Sequence, residues 1–355
     1  PAYAFLLLWF AIGIIPSLVT GPTANTTRNL AALPAVYMLP AVGFVTGVRL
    51  LAQRLNLPSR NLLVTGAIVW LLFTMLITTR DYFVRWGDSV EVRGAYQHTL
   101  VEELAYLDEV QMPASSTIIS TVYPGPAHDA SLAQLLAGSR ARQLRWVDAR
   151  FAMILPDDPQ PRAIIPASTP HHPAFNNFLQ IEDNIALRFN DLDPEFTVFA
   201  LDTSSLPANS QQIPLADFGG AVHLLQAEWL LPQVSPGETA ELLTVWQVID
   251  PAKVGPIHPP AYTTDTVFFT HVLSQEEDIL AQRDALDAPS WSWQTGDKIL
   301  QVHQVSIPVD ISPGIYQVVV GIYDGQTGRR LPISGDNDRM KKEMVQVPPL
   351  QVAQS

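Results

Sequence analysis

Three uncharged apolar runs within the first eighty residues constrain this chain more than any other feature. Ala2–Val19, Leu30–Val48 and Asn61–Thr79 hold 18, 19 and 19 residues without a single Asp, Glu, Lys or Arg. As helices rising ~1.5 Å per residue, each comes close to crossing a ~30 Å hydrocarbon core. A signal peptide has one shorter apolar stretch ahead of a cleavage site and does not account for three runs. Core helices of soluble proteins normally carry a polar stripe, which these runs lack. Residues 1–87 are therefore expected to be three transmembrane helices. With Pro1 rather than a methionine at its start, the chain reads as the back end of a polytopic membrane protein.

Charge divides the chain at the same place. Residues 1–87 carry six arginines against Asp81, a net of +5, which leaves −18 for residues 88–355 within a whole-chain charge of −13. So acidic a region lacks the basic footprint of nucleic-acid binding. The segment Arg49–Arg60 between the second and third runs has three arginines and no acid. By the positive-inside rule it faces the cytoplasm of a plasma (inner) membrane protein, with the first loop and everything after about residue 80 outside. Tyr82, Phe83 and Trp86 stand where an interfacial aromatic belt is expected. The chain has no cysteine, so an exported region must stand on hydrophobic cores rather than disulfides.

Residues 88–210 read as a small α/β domain. Leu100, Val101, Leu104 and Leu107 space an amphipathic helix over Ala95–Val110, and His128–Ala137 forms a second. Strands are expected at 117–121, 144–147, 151–155, 163–166 and 196–201, an alternation that suggests a partly parallel sheet. Residues 204–214 serve as a linker. Residues 216–355 change character, with strands expected at 222–231, 240–249, 266–273, 299–309, 315–323 and 344–352. Turn signals such as Ser235-Pro-Gly237, Ser312-Pro-Gly314 and Asp324-Gly-Gln-Thr-Gly328 separate them. Short strands with little helix point to an antiparallel β-sandwich, with Trp246 in its core beside Ala240, Leu242, Thr244 and Val248 on one strand face.

No catalytic motif stands out in residues 88–355: there is no phosphate-cradling glycine loop, nucleophile elbow or HExxH helix. No cofactor is evident and no metal site is expected. His171-His172 lies in a proline-rich turn whose adjacent side chains point apart. Asp336-Asn-Asp338 lacks the central glycine and distal glutamate of a calcium loop. Trp291-Ser-Trp293 offers two aromatic faces for stacking on a sugar ring, against the plainer reading of a loop folded over a sheet edge. In the apolar region, Arg28 lies at the predicted outer surface just ahead of a helix with two prolines, Pro34 and Pro40. Prolines in spans are tolerated beside cavities. A guanidinium here can hold a lipid phosphate bidentately, or merely anchor among headgroups.

The stretch Arg28-Asn-Leu-Ala-Ala-Leu-Pro-Ala-Val-Tyr-Met-Leu-Pro40 resembles a late transmembrane segment of bacterial membrane glycosyltransferases related to protein O-mannosyltransferases and lipid A aminoarabinose transferases. Ile118–Tyr123 and Arg145–Asp148 are similar to an outer α/β region of larger members. Ser235–Thr239, Leu243–Gln247, Thr266–Leu273 and Pro313–Asp324 resemble an appended β-sandwich. The resemblance implies transfer of a sugar from a polyprenyl-phosphate donor, within a lipid membrane, to an acceptor (protein, lipid or glycan) at the outer face. The acidic residue such enzymes use lies in the first outer loop, expected upstream of this chain, so that the fragment alone is expected to be inactive. Of the residues present, only Arg28 is implied in the site, as a contact to the donor phosphate. The alternative is a non-catalytic, membrane-anchored surface protein whose β-sandwich binds glycan or protein. Three spans favour the transferase, since an anchor needs only one.

Overall fold

The computed structural model describes residues 2–19, 26–56, 58–203, 214–254, 266–334, 340–341 and 343–353. They form two compact units, Pro1–Ser89 and Val90–Ser355.

The first unit is helical: α1 (Ala2–Val19), a 3₁₀ turn (Thr26–Ala32), α2 (Leu33–Leu55) and α3 (Ser59–Thr79), continued by a π-helical turn over Arg80–Trp86. Two stretches, Asn29–Leu55 and Arg60–Trp86, are long and apolar enough to cross a membrane, while α1 is shorter. α2 runs beyond the expected end at Val48, through Arg49 and Arg54, because arginine and leucine are good helix formers and nothing breaks the helix there. Asn56 ends it in the left-handed conformation (φ 55°), its N–H bonded to the Ala52 carbonyl. The arginine-bearing connection is thus helical over most of its length. Gly13 lets α1 approach the 3₁₀ turn, since a Cβ there would lie 2.7 Å from the Ala32 Cα. Trp9 Nε1 donates to the Ala31 carbonyl across the same junction at 2.9 Å.

The second unit opens with α4 (Val90–Ala95), α5 (His98–Glu109), β1 (Thr117–Ser120), α6 (Asp129–Ala137) and β2 (Arg145–Val147). It continues through β3 (Ala152–Leu155), β4 (Arg162–Pro166), β5 (Leu179–Ala186) and β6 (Glu195–Leu201). A mixed sheet takes the order β2-β1-β4-β6-β5, with β2, β1 and β4 parallel and β6 and β5 antiparallel. Alternate residues of a strand face opposite sides. Ile119 accordingly joins Leu100, Leu104 and Leu107 of α5 and Ala133 of α6 in one core, while Ile118 faces the other. β5 was not expected from the sequence: it is an edge strand whose Glu182 and Asp183 are exposed, and so it lacks the buried apolar run of its neighbours.

Ten further strands follow: β7 (Ala216–Phe218), β8 (Val222–Trp229), β9 (Thr239–Val248), β10 (Thr266–Leu273) and β11 (Ile279–Ala285), then β12 (Lys298–Ser306), β13 (Gly314–Asp324), β14 (Ile333–Ser334), β15 (Met340–Lys341) and β16 (Met344–Val352). They build two antiparallel sheets, β14-β7-β8-β9-β12-β3 and β11-β10-β13-β16-β15. Trp246 of β9 and Phe268 of β10 meet between them with ring centroids 4.4 Å apart, and Trp246 is wholly buried as expected.

β3 requires a correction. The sequence groups it with the α/β strands, yet it pairs with β12, Ile154 opposite Ile299 and Met153 opposite Leu300. All four of its residues are buried. A short run buried on both faces carries no pattern that says which sheet it joins. Hence the two regions divided in the sequence share one sheet and one continuous core. Buried Arg145 of β2 reinforces the junction. Its Nε donates to both carboxylate oxygens of buried Asp297 at 3.0 and 2.8 Å and its Nη2 to one at 2.7 Å, while Nη1 donates to the Ser115 carbonyl.

Candidate functional site

A cleft of about 210 Å³ opens at the carboxyl ends of β1 and β4. The chain leaves β1 for β2 on one side, through α6, and later places β4 on the other side. Open α/β sheets leave a crevice at such a reversal of strand order. Ser120 ends β1 and Thr121 follows it, Pro166 ends β4 and Ser168 lies just beyond it, and Asp129 opens α6. Glu103 of α5 and Asp193 of the β5–β6 connection complete the polar lining, while Leu100, Ile119, Val122 and Leu192 supply apolar walls.

The three acids differ in their partners. Asp193 is satisfied: Thr99 Oγ1 donates to it at 2.9 Å and the Ser168 N–H at 2.7 Å. Asp129 accepts from Thr121 Oγ1 through one oxygen, while its Oδ1 is buried without a partner. Glu103 is 2% exposed and its Oε1 is likewise without a partner. Burial first, then the charges of Asp193 and Asp129, hold the Glu103 carboxyl well above the usual carboxylate range. Burial also pushes Asp129 up, opposed by the Thr121 hydrogen bond and by His128. No Lys or Arg lines the cleft among the described residues. Nearby Arg93 is held on Asp191 by bonds of 2.5–3.0 Å. The arrangement offers carboxyl groups as hydrogen-bonding partners to something small.

None of these acids was singled out in the sequence. The signal was present: Glu103 stands in the stripe Leu100, Leu104, Leu107, a position where helices normally place an apolar residue.

The sequence candidates fare differently. Arg28 lies in the 3₁₀ turn before α2, and its side chain lies outside the described residues. Trp291 and Trp293, read as possible sugar-stacking faces, are buried. Trp291 enters the core under α5 and α6, its ring 6.4 Å from that of Trp146 and its Nε1 donating to the Pro124 carbonyl at 3.1 Å. Trp293 packs between the antiparallel sheets near Phe268 and donates to the Ala288 carbonyl at 2.7 Å. Neither presents a free face to a sugar, because indole burial drives the loop into two cores at once. His171 Nε2 bonds Asn176 and His172 Nε2 approaches Glu241, so the pair points apart. Among the described residues no cluster of three or more ligating side chains suits a metal ion. Asp336-Asn-Asp338 lies outside the described residues, as does most of the 204–214 linker.

No known family model matches the chain, and no curated protein does. Among solved structures it is similar to the C-terminal domain of Wzt, at 14% identity over 41% of this chain and 81% of that one, with a TM-score of 0.24. It is also similar to FetP of uropathogenic E. coli strain F11, at 10% identity over 38% of this chain and 94% of that one, with a TM-score of 0.17. Likenesses this distant carry no argument about activity.

Proposed function

We propose that this chain serves a membrane glycosyltransferase that moves a sugar from a polyprenyl-phosphate donor to an acceptor at the outer face of the membrane. In this reading the helical unit spans the bilayer, and the acidic unit, a small α/β domain joined to a β-sandwich, positions the acceptor. The observation that carries the reading is the surface of the helical unit. Leu72, Phe73, Met75 and Leu76 of α3, and Leu50 and Leu51 of α2, are all exposed. So large an apolar surface needs lipid or further helices to cover it. The resemblance over Arg28–Pro40 supports the same reading. So does an apolar groove of about 760 Å³ between α2 and α3, lined by Tyr37, Pro40, Phe44, Leu63 and Trp70.

The test uses membranes bearing the protein as encoded and a polyprenyl-phosphate sugar labelled in the sugar. Label is expected to leave the lipid fraction only when the protein is present. Arg28→Ala is expected to weaken donor binding while the protein stays folded. Unchanged donor affinity removes Arg28 from the site. No transfer with any lipid-linked sugar overturns the reading in favour of a non-catalytic surface protein.

A further inference from the structure

We propose that the cleft at the carboxyl ends of β1 and β4 binds a small molecule through a primary ammonium group seated between Glu103 and Asp129. The inference stands apart from the transferase reading and rests on the cleft alone.

Glu103 and Asp129 both line one cavity, and each holds a buried carboxyl oxygen, Oε1 and Oδ1, without a partner. Buried polar atoms are seldom left so, because a missing partner costs the full desolvation of the group. At about 210 Å³ the cleft exceeds several times the ~30 Å³ share of a liquid water, leaving room for a small organic molecule. Charge then selects among ligands. Glu103, Asp129 and Asp193 face the cavity, Tyr123 stands at its rim, His128 adjoins Asp129, and no cation lines it among the described residues. An anion is repelled by such a site. A neutral polyol supplies donors but no positive charge to favour ionisation of Glu103 and Asp129. An ammonium supplies up to three N–H donors and a positive charge in one group. Its charge also favours ionisation of Glu103, giving two charge-assisted hydrogen bonds. Leu100, Ile119, Val122 and Leu192 offer apolar surface to a short carbon stem.

Equilibrium dialysis of the purified full chain with labelled 1,4-diaminobutane provides the test, with 1,4-butanediol as the uncharged competitor. The amine is expected to bind. Glu103→Gln and Asp129→Asn, which keep size and shape, are each expected to weaken binding about tenfold or more. Glu182→Gln, an exposed carboxylate outside the cleft, is expected to leave binding unchanged, as is excess butanediol. Equal binding by all variants identifies adventitious attraction to an acidic surface and overturns the proposal. So does competition by butanediol, which marks the cleft as a hydroxyl site. The absence of amine binding by the folded full chain leaves water as the partner of these oxygens and overturns it too. Circular dichroism melts of both cleft variants separate lost binding from lost folding.

Discussion

The helical unit and the β-rich unit use the same apolar side chains to opposite ends. In α3, Leu72 is 55% exposed and Leu76 70%, whereas Leu242 and Trp246 of β9 are wholly buried. The helical unit satisfies its backbone internally and leaves its side chains to be covered from outside. The β-rich unit covers its own, and so must also bury what lies between its strands, including Arg145, Asp297 and His303. A uniformly apolar helix therefore reports an environment, while a buried apolar strand reports only that a neighbour exists.

The largest effect is expected where the β-rich unit closes on itself. Asp297→Asn leaves Arg145 buried without its counter-ion. The cost is expected to be about 3–5 kcal/mol, measured by urea unfolding followed through tryptophan fluorescence. A loss below about 1 kcal/mol would show that the regions on either side of this pair do not depend on it. A lysine in the middle of α3 probes the other side of the comparison. Leu72→Lys is expected to cost about 2.5–3.5 kcal/mol of membrane insertion and to leave the urea transition of the β-rich unit unmoved. Unimpaired insertion would remove α3 from the lipid.

A third test uses pH. His303 is wholly buried and its Nε2 meets Thr244 Oγ1 at 2.9 Å. That hydroxyl also accepts from Trp246 Nε1 and can donate to the Gln301 carbonyl, which assigns the Nε2–H tautomer and leaves Nδ1 bare. Burial, with Arg283 adding to it, lowers the ring to about 3. The unfolded chain thus binds a proton near pH 6.5 that the folded chain refuses. Stability is full above that value and is expected to fall, as pH drops from about 6.5 toward 3, by up to about 1.4 kcal/mol per unit. His303→Gln is expected to flatten that slope. An unchanged slope would mean that the ring is not held neutral in the fold.

Much of the architecture was legible in the chain. The run Ala2–Val19 is α1 to the residue, and the six strands expected beyond residue 216 all form, because period and punctuation are local properties. Residues whose role depends on distant partners were not. Trp291 and Trp293 look alike in sequence, yet the fold sends one beneath α5 and α6 and the other between the antiparallel sheets.

Where the apolar helices end and the acidic, strand-rich chain begins could be read from residue order alone, since charge and hydropathy there are written residue by residue. It took the folded arrangement to join β3 to β12, to bring Arg145 to Asp297 across 152 positions, and to set Glu103, Asp129 and Asp193 around one cleft. Each of these depends on which strands lie side by side, and that choice is settled by how whole faces bury one another, not by any segment alone.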